Sequence, residues 1–109
     1  MDIPNINIGV VYSPPKKKKP KEVVIETYLR EQVEAHGGLC MKFTSPTHSG
    51  VPDRVIILNN HTCFVETKRP GGNPRELQKS TIQSMIDCGA DVRVIDTKSK
   101  VDAFIKELT

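Results

Sequence analysis

The spacing of apolar side chains divides this sequence into alternating helical and extended stretches. From Glu22 to His36, residues Val24, Ile25, Tyr28, Leu29 and Val33 recur at intervals of three and four, which predicts an amphipathic helix closed by Gly37-Gly38. Leu39 to Thr44 alternates apolar with polar residues and predicts a strand, followed by the loop Ser45-Pro46-Thr47-His48-Ser49-Gly50. Two further extended runs, Val55-Ile56-Ile57-Leu58 and Phe64-Val65-Glu66-Thr67-Lys68, flank Asn59-Asn60-His61 and predict a β-hairpin. After the turn Arg69-Pro70-Gly71-Gly72, the sequence Asn73-Pro74-Arg75-Glu76 reads as a helix start, with Asn73 as cap and Pro74 in the first position. That helix runs to about Cys88, stops at Gly89, and carries Leu77, Ile82, Met85 and Ile86 as its apolar set. Asp91 to Asp96 is a short strand around Val92, Val94 and Ile95, and Ser99-Lys100-Val101-Asp102 reads as the capping box of a last helix bearing Val101, Phe104, Ile105 and Leu108 on one face. Helix, three strands, helix, strand, helix is the order of an α/β sandwich around a mixed sheet.

At 109 residues the chain has room for one domain with a modest core, and with few aromatics and no Trp that core must be aliphatic. No apolar run is long enough to span a membrane, and the N-terminus has no apolar signal region, so a soluble intracellular protein is expected. Cys40, Cys63 and Cys88 are odd in number and widely spaced, with no C-x-x-C pair, and read as reduced core residues. The net charge of +3 is unevenly placed. Lys16, Lys17, Lys18, Lys19 and Lys21 hold five of the sixteen basic residues, whereas residues 22–109 carry eleven basic and twelve acidic side chains. Residues 1–21, which include Pro14-Pro15 and Pro20 and show no helical period, read as a flexible basic arm, and residues 22–109 as the folded domain. The lysines suit sequence-independent binding to backbone phosphates; an interface arm or a solvated linker fits the same composition.

The candidate chemistry lies in the hairpin. Side chains alternate faces along a strand, so Glu66 and Lys68 share one side, and the reversal of the chain brings them beside Asp53. Two carboxylates held together repel unless a cation lies between them, and an all-oxygen donor set favours Mg²⁺ or Mn²⁺ over zinc. The same residues also fit an ordinary exposed hairpin in which Glu66 pairs with Lys68 and Asp53 is a turn residue. In the loop before Asp53, Thr47, His48 and Ser49 suit phosphate contacts, Gly50 permits close backbone approach, and Arg69 adds charge on the far side.

Gly50-Val51-Pro52-Asp53-Arg54 followed by Phe64-Val65-Glu66-Thr67-Lys68-Arg69-Pro70-Gly71, with Gln78 and Gly89-Ala90-Asp91-Val92 beyond, resembles the VRR-NUC branch of the PD-(D/E)XK nuclease superfamily over about residues 22–97. The resemblance implies the same αβββαβα core. It also implies a metal-dependent endonuclease in which Asp53, Glu66 and the backbone carbonyl of Thr67 bind Mg²⁺ or Mn²⁺. Glu26 of the first helix would hold a metal-bound water, Lys68 would orient or deprotonate the attacking water, and Gln78 would support Lys68. The products implied are a 5′-phosphate and a 3′-hydroxyl. Glu26 otherwise fits an i,i+4 pair with Arg30, and Gln78 a cap on a neighbouring carbonyl.

Small single-domain members of this family resemble phage-encoded enzymes and Holliday junction resolvases, which implies a cytoplasmic protein of a bacterium or phage-infected cell. Cutting two symmetric strands takes two sites, which a C₂ homodimer supplies. The expected function is therefore structure-selective cleavage of branched DNA by a homodimer, without organic cofactor or membrane. A monomeric nonspecific, nicking or flap nuclease is the enzymatic alternative, and a DNA-binding module that kept the fold without the chemistry is the alternative of another class.

Overall fold

The computed structural model describes residues 20–109. The elements are α1 (Pro20–Ala35), β1 (Leu39–Lys42), β2 (Arg54–Leu58), β3 (His61–Thr67), α2 (Glu76–Asp87), β4 (Val92–Ile95) and α3 (Lys98–Leu108), which is the αβββαβα order expected from the periodicity. Lys16 to Lys19 of the basic arm lie outside the described residues, while Pro20 and Lys21 belong to the first turn of α1. Proline suits that position because its missing N–H would have no helical partner there.

The four strands lie in the order β1-β2-β3-β4; β1, β2 and β3 are antiparallel neighbours and β4 joins β3 in parallel. A parallel neighbour requires a crossover, and α2 provides it. Register is pinned at the hairpin tip. Asn59 and Asn60 both have positive φ, 51° and 64°, the combination of a two-residue turn whose twist matches the flanking strands. Leu58 therefore faces His61, and His61 is the first residue of β3 rather than part of the turn.

The alternation of β2 and β3 sends Ile56, Leu58, Cys63 and Val65 to one face, where they meet Ile25, Leu29 and Val33 of α1 and Val101, Phe104 and Ile105 of α3. This is the aliphatic core. Tyr28 of α1 donates its hydroxyl hydrogen to Asp102 of α3 at 2.6 Å, joining the two helices across that layer. The other face carries α2, which buries Ile82 and packs toward β4.

Several local expectations shift. Val24 is half exposed, and so are Leu77 and Ile86 of the α2 apolar set. The N-cap of α2 is Arg75 rather than Asn73, and that of α3 is Thr97, whose side chain accepts the Lys100 N–H at 3.1 Å, rather than Ser99. Cys40 and Cys63 are buried and reduced as expected, but Cys88 is exposed, because it caps the C-terminus of α2 on the solvent side.

Candidate active site at the open end of the hairpin

Asp53 lies immediately before β2, and continuation of the hairpin register sets it opposite Glu66. The two are tied directly. The Asp53 backbone N–H donates to Glu66 Oε1 at 3.1 Å, while Asp53 Oδ2 accepts from the Thr67 N–H at 3.3 Å and from the Thr67 hydroxyl at 3.1 Å. Glu66 Oε2 in turn accepts from Lys68 Nζ at 3.1 Å and from Gln78 Nε2 at 2.9 Å. Asp53, Glu66, Lys68 and Gln78 are thus one hydrogen-bonded group. Glu66 is only 2 % exposed, which a solvated surface ion pair would not be.

Burial is the first cause, and the charge of Asp53 the second, that raise the Glu66 pKa above its ordinary value. The hydrogen bonds and charge of Lys68 and the amide of Gln78 act against this and do not offset it. One buried carboxylate beside another is under-compensated by the protein alone.

Gln78 bonds a backbone N–H and a carboxylate rather than a carbonyl. Its Oε1 accepts the Arg75 N–H at 3.3 Å while its Nε2 reaches Glu66, so one side chain closes the first turn of α2 and fixes a site carboxylate. The approach of α2 depends on Gly50, with φ +82°. A Cβ there would lie 3.0 Å from Gln78 Cα and Leu77 O, and Thr81 Oγ1 donates to the neighbouring Ser49 carbonyl at 2.8 Å. The loop is therefore seated on α2, and between them runs a groove of about 550 Å³ lined by Phe43, Ser45, His48, Ser49, Arg75 and Gln78, among others. Within the loop, Thr47 Oγ1 is 3.1 Å from His48 Nδ1; Thr47, His48 and Ser49 are all exposed, as is Arg69 beyond Lys68.

Glu26 does not pair with Arg30, which instead binds Glu34 at 2.9 Å. Its carboxylate meets Arg54 Nε at 3.0 Å in the buried layer beneath the sheet, and Arg54 also reaches the Cys40 carbonyl at 3.4 Å. Arg54 was overlooked by sequence reasoning, although the alternation of β2 puts it on the inner face with Ile56, where a guanidinium requires an acid. It ties α1 to β1 at the residue next to Asp53.

No family model matches the chain. Among curated proteins, it is 38 % identical over 79 residues to "Putative nuclease p44" of Acyrthosiphon pisum secondary endosymbiont phage 1, covering 72 % of this chain and 85 % of that one. Among solved structures, a chain described as a VRR_NUC domain superposes with a TM-score of 0.76 at 31 % identity, covering 84 % of this chain and all of the other. The sequence relative, the superposition and the αβββαβα order agree: this chain belongs to the VRR-NUC nuclease family.

Proposed function

We propose that this nuclease is a divalent-metal-dependent endonuclease that cuts branched DNA as a homodimer, in the manner of a Holliday junction resolvase. The observation that carries the metal reading is the joining of Asp53 and Glu66 in one group, with the Glu66 carboxyl under-compensated by its protein neighbours. The donors fit a hard ion: both are carboxylates, and the Thr67 backbone carbonyl would complete the set. Bound there, Mg²⁺ or Mn²⁺ supplies charge stabilisation at the scissile phosphate and acidifies a water.

The remaining chemistry belongs to the chain. Lys68, held on Glu66, orients the attacking water as an ammonium or deprotonates it as the neutral amine, and Gln78 fixes Glu66. Glu26, whose carboxylate lies on Arg54 at the core side of the sheet, would reach the metal only through a bound water. Hydrolysis then leaves a 5′-phosphate and a 3′-hydroxyl. The exposed Thr47, His48 and Ser49, with Arg69, contact backbone phosphates beside the groove, and Lys16, Lys17, Lys18, Lys19 and Lys21 add salt-sensitive attraction.

Homodimer formation is supported by the sheet. Leu39 and Met41 of β1, an edge strand, and Ile57 of β2 share the face not covered by α1 and α3, and are 55 %, 44 % and 38 % exposed. A second copy of the chain is the occupant we assign to this apolar strip. Among the described residues no helix is long and apolar enough to cross a membrane.

The test is cleavage of a four-way junction beside linear duplex of the same sequence, with Mg²⁺, Mn²⁺ or chelator, using wild type and Asp53→Asn, together with a light-scattering mass. A dimer that cuts the junction preferentially, only with metal and not as Asp53→Asn, is expected. A monomer that cuts both substrates equally is a nicking or flap nuclease instead, and cleavage that survives chelation removes the metal reading.

A further inference from the structure

The opposite end of β3 carries a second group of donors that the nuclease chemistry does not use. His61 and Cys63 are two residues apart and so point to the same face, and Asp91, in the turn leading into β4, reaches them from the neighbouring strand. A ring nitrogen of His61, the sulfur of Cys63 and a carboxylate oxygen of Asp91 all lie within 4.8 Å of one another. Glu66 lies five residue steps along β3 from His61, about 16 Å at ~3.3 Å per step, so no ligand is shared with the hairpin site.

We propose that His61, Cys63 and Asp91 form a separate binding site for a borderline divalent cation of the zinc type. Donor chemistry chooses the ion. Imidazole, thiolate and a single carboxylate suit zinc or cobalt, whereas magnesium and manganese select the all-oxygen pair at the other end of the strand. Three protein ligands leave a fourth position for water, and the half-exposed His61 gives that position an opening to solvent.

The surroundings match a ligand set. Cys63 is wholly buried, and its thiol makes no hydrogen bond among the described residues. His61 Nε2 stands 2.6 Å from Asp91 Oδ2, and an ion between them needs that gap to open to roughly 3.3 Å, given bond lengths of about 2.0–2.1 Å in a tetrahedron. Asp91 does not have to abandon its other partner for this. Arg93 grips the carboxylate with two nitrogens, Nε on Oδ1 at 2.6 Å and a terminal nitrogen on Oδ2 at 3.1 Å, and the same guanidinium is held by Glu107 of α3. The ion would displace the direct His61 contact on Oδ2 while the Nε–Oδ1 bond keeps the carboxylate oriented. The bound ion would staple the start of β3 to the turn before β4, closing the parallel edge of the sheet at the end away from the active site. In a small domain such a staple adds constraint that the core alone does not supply.

Cobalt reports on this site without reference to DNA cleavage. Purified, chelator-treated full chain titrated with Co²⁺ should develop a thiolate-to-cobalt charge-transfer band that saturates at one equivalent and is discharged by Zn²⁺. The band should vanish in Cys63→Ser and His61→Ala, weaken at least tenfold in apparent affinity in Asp91→Asn, and persist unchanged in Asp53→Asn. Since Cys63 is in the core, the half-exposed His61 variant keeps the test decisive if Cys63→Ser misfolds. No saturable band in the wild type, or a band that survives in the folded His61→Ala variant, overturns the proposal. A band without any nuclease activity would retain this site while removing the proposed reaction, so the two readings fail independently.

Discussion

Glu66 holds a conflict, a carboxylate almost fully enclosed beside a second one. Its raised pKa has a definite thermodynamic sign. The folded, metal-free chain binds a proton that the unfolded chain gives up near the ordinary carboxylate value of 4.5. That contribution is fully present below this value and is lost as pH rises through the raised one. In chelator, the urea midpoint should therefore fall as pH increases over this window, and Mn²⁺ should restore it at neutral pH; Glu66→Gln should flatten the profile. Lys68, bound to the same oxygen, separates binding from chemistry. Lys68→Ala should keep Mn²⁺ binding by calorimetry yet lose at least ~10²-fold in cleavage rate, the lower range for a positioned proton-transfer group. An unchanged rate would assign the lysine a structural part only.

At the scale of elements, the site depends on α2 being pressed against the loop before β2. Gly50→Ala places a Cβ 3.0 Å from the α2 backbone at a positive φ, which should cost about 1–2 kcal/mol and lower cleavage without altering Asp53 or Glu66 themselves. Denaturation and rate measurements on the same preparation check this. Periodicity made α1, the hairpin and β4 readable, because each depends on one face meeting the core. The caps were not: Asn73 and Ser99 carry the right chemistry, but tertiary placement gave the role to Arg75 and Thr97 two residues away, where Gln78 and Lys100 could close the turn. Nor was the partner of Glu26 visible. Local spacing offered Arg30, and the fold supplied Arg54 from 28 residues further on. Likewise the meeting of His61 and Cys63 with Asp91 depends on the β3–β4 pairing, which spacing alone does not reveal.

For the whole molecule, the sheet is clothed unequally. α1 and α3 seal one face, whereas α2 leaves the β1 side of the other exposing Leu39, Met41 and Ile57. Met41→Glu should halve the light-scattering mass and abolish paired cuts in a four-way junction while leaving single-strand nicking, since none of these side chains enters the hydrogen-bonded group at Glu66. A variant that stays dimeric, or a monomer that still resolves junctions, would show that the second copy sits elsewhere or is not needed.

The two asparagines at the hairpin tip lie at the far end of the ribbon from Asp53 and Glu66, yet they act as the ruler for the chemistry. By setting Leu58 opposite His61 they decide, five rungs away, that residue 53 arrives level with residue 66. Asn60→Gly should be neutral or better at such a bend, whereas Val at both positions, which resists left-handed backbone, should blur the alignment and cut hydrolysis with every catalytic group intact. Selection on this enzyme's reaction thus extends to a spot at the other end of the ribbon, where a scan confined to the surroundings of the phosphate would never look.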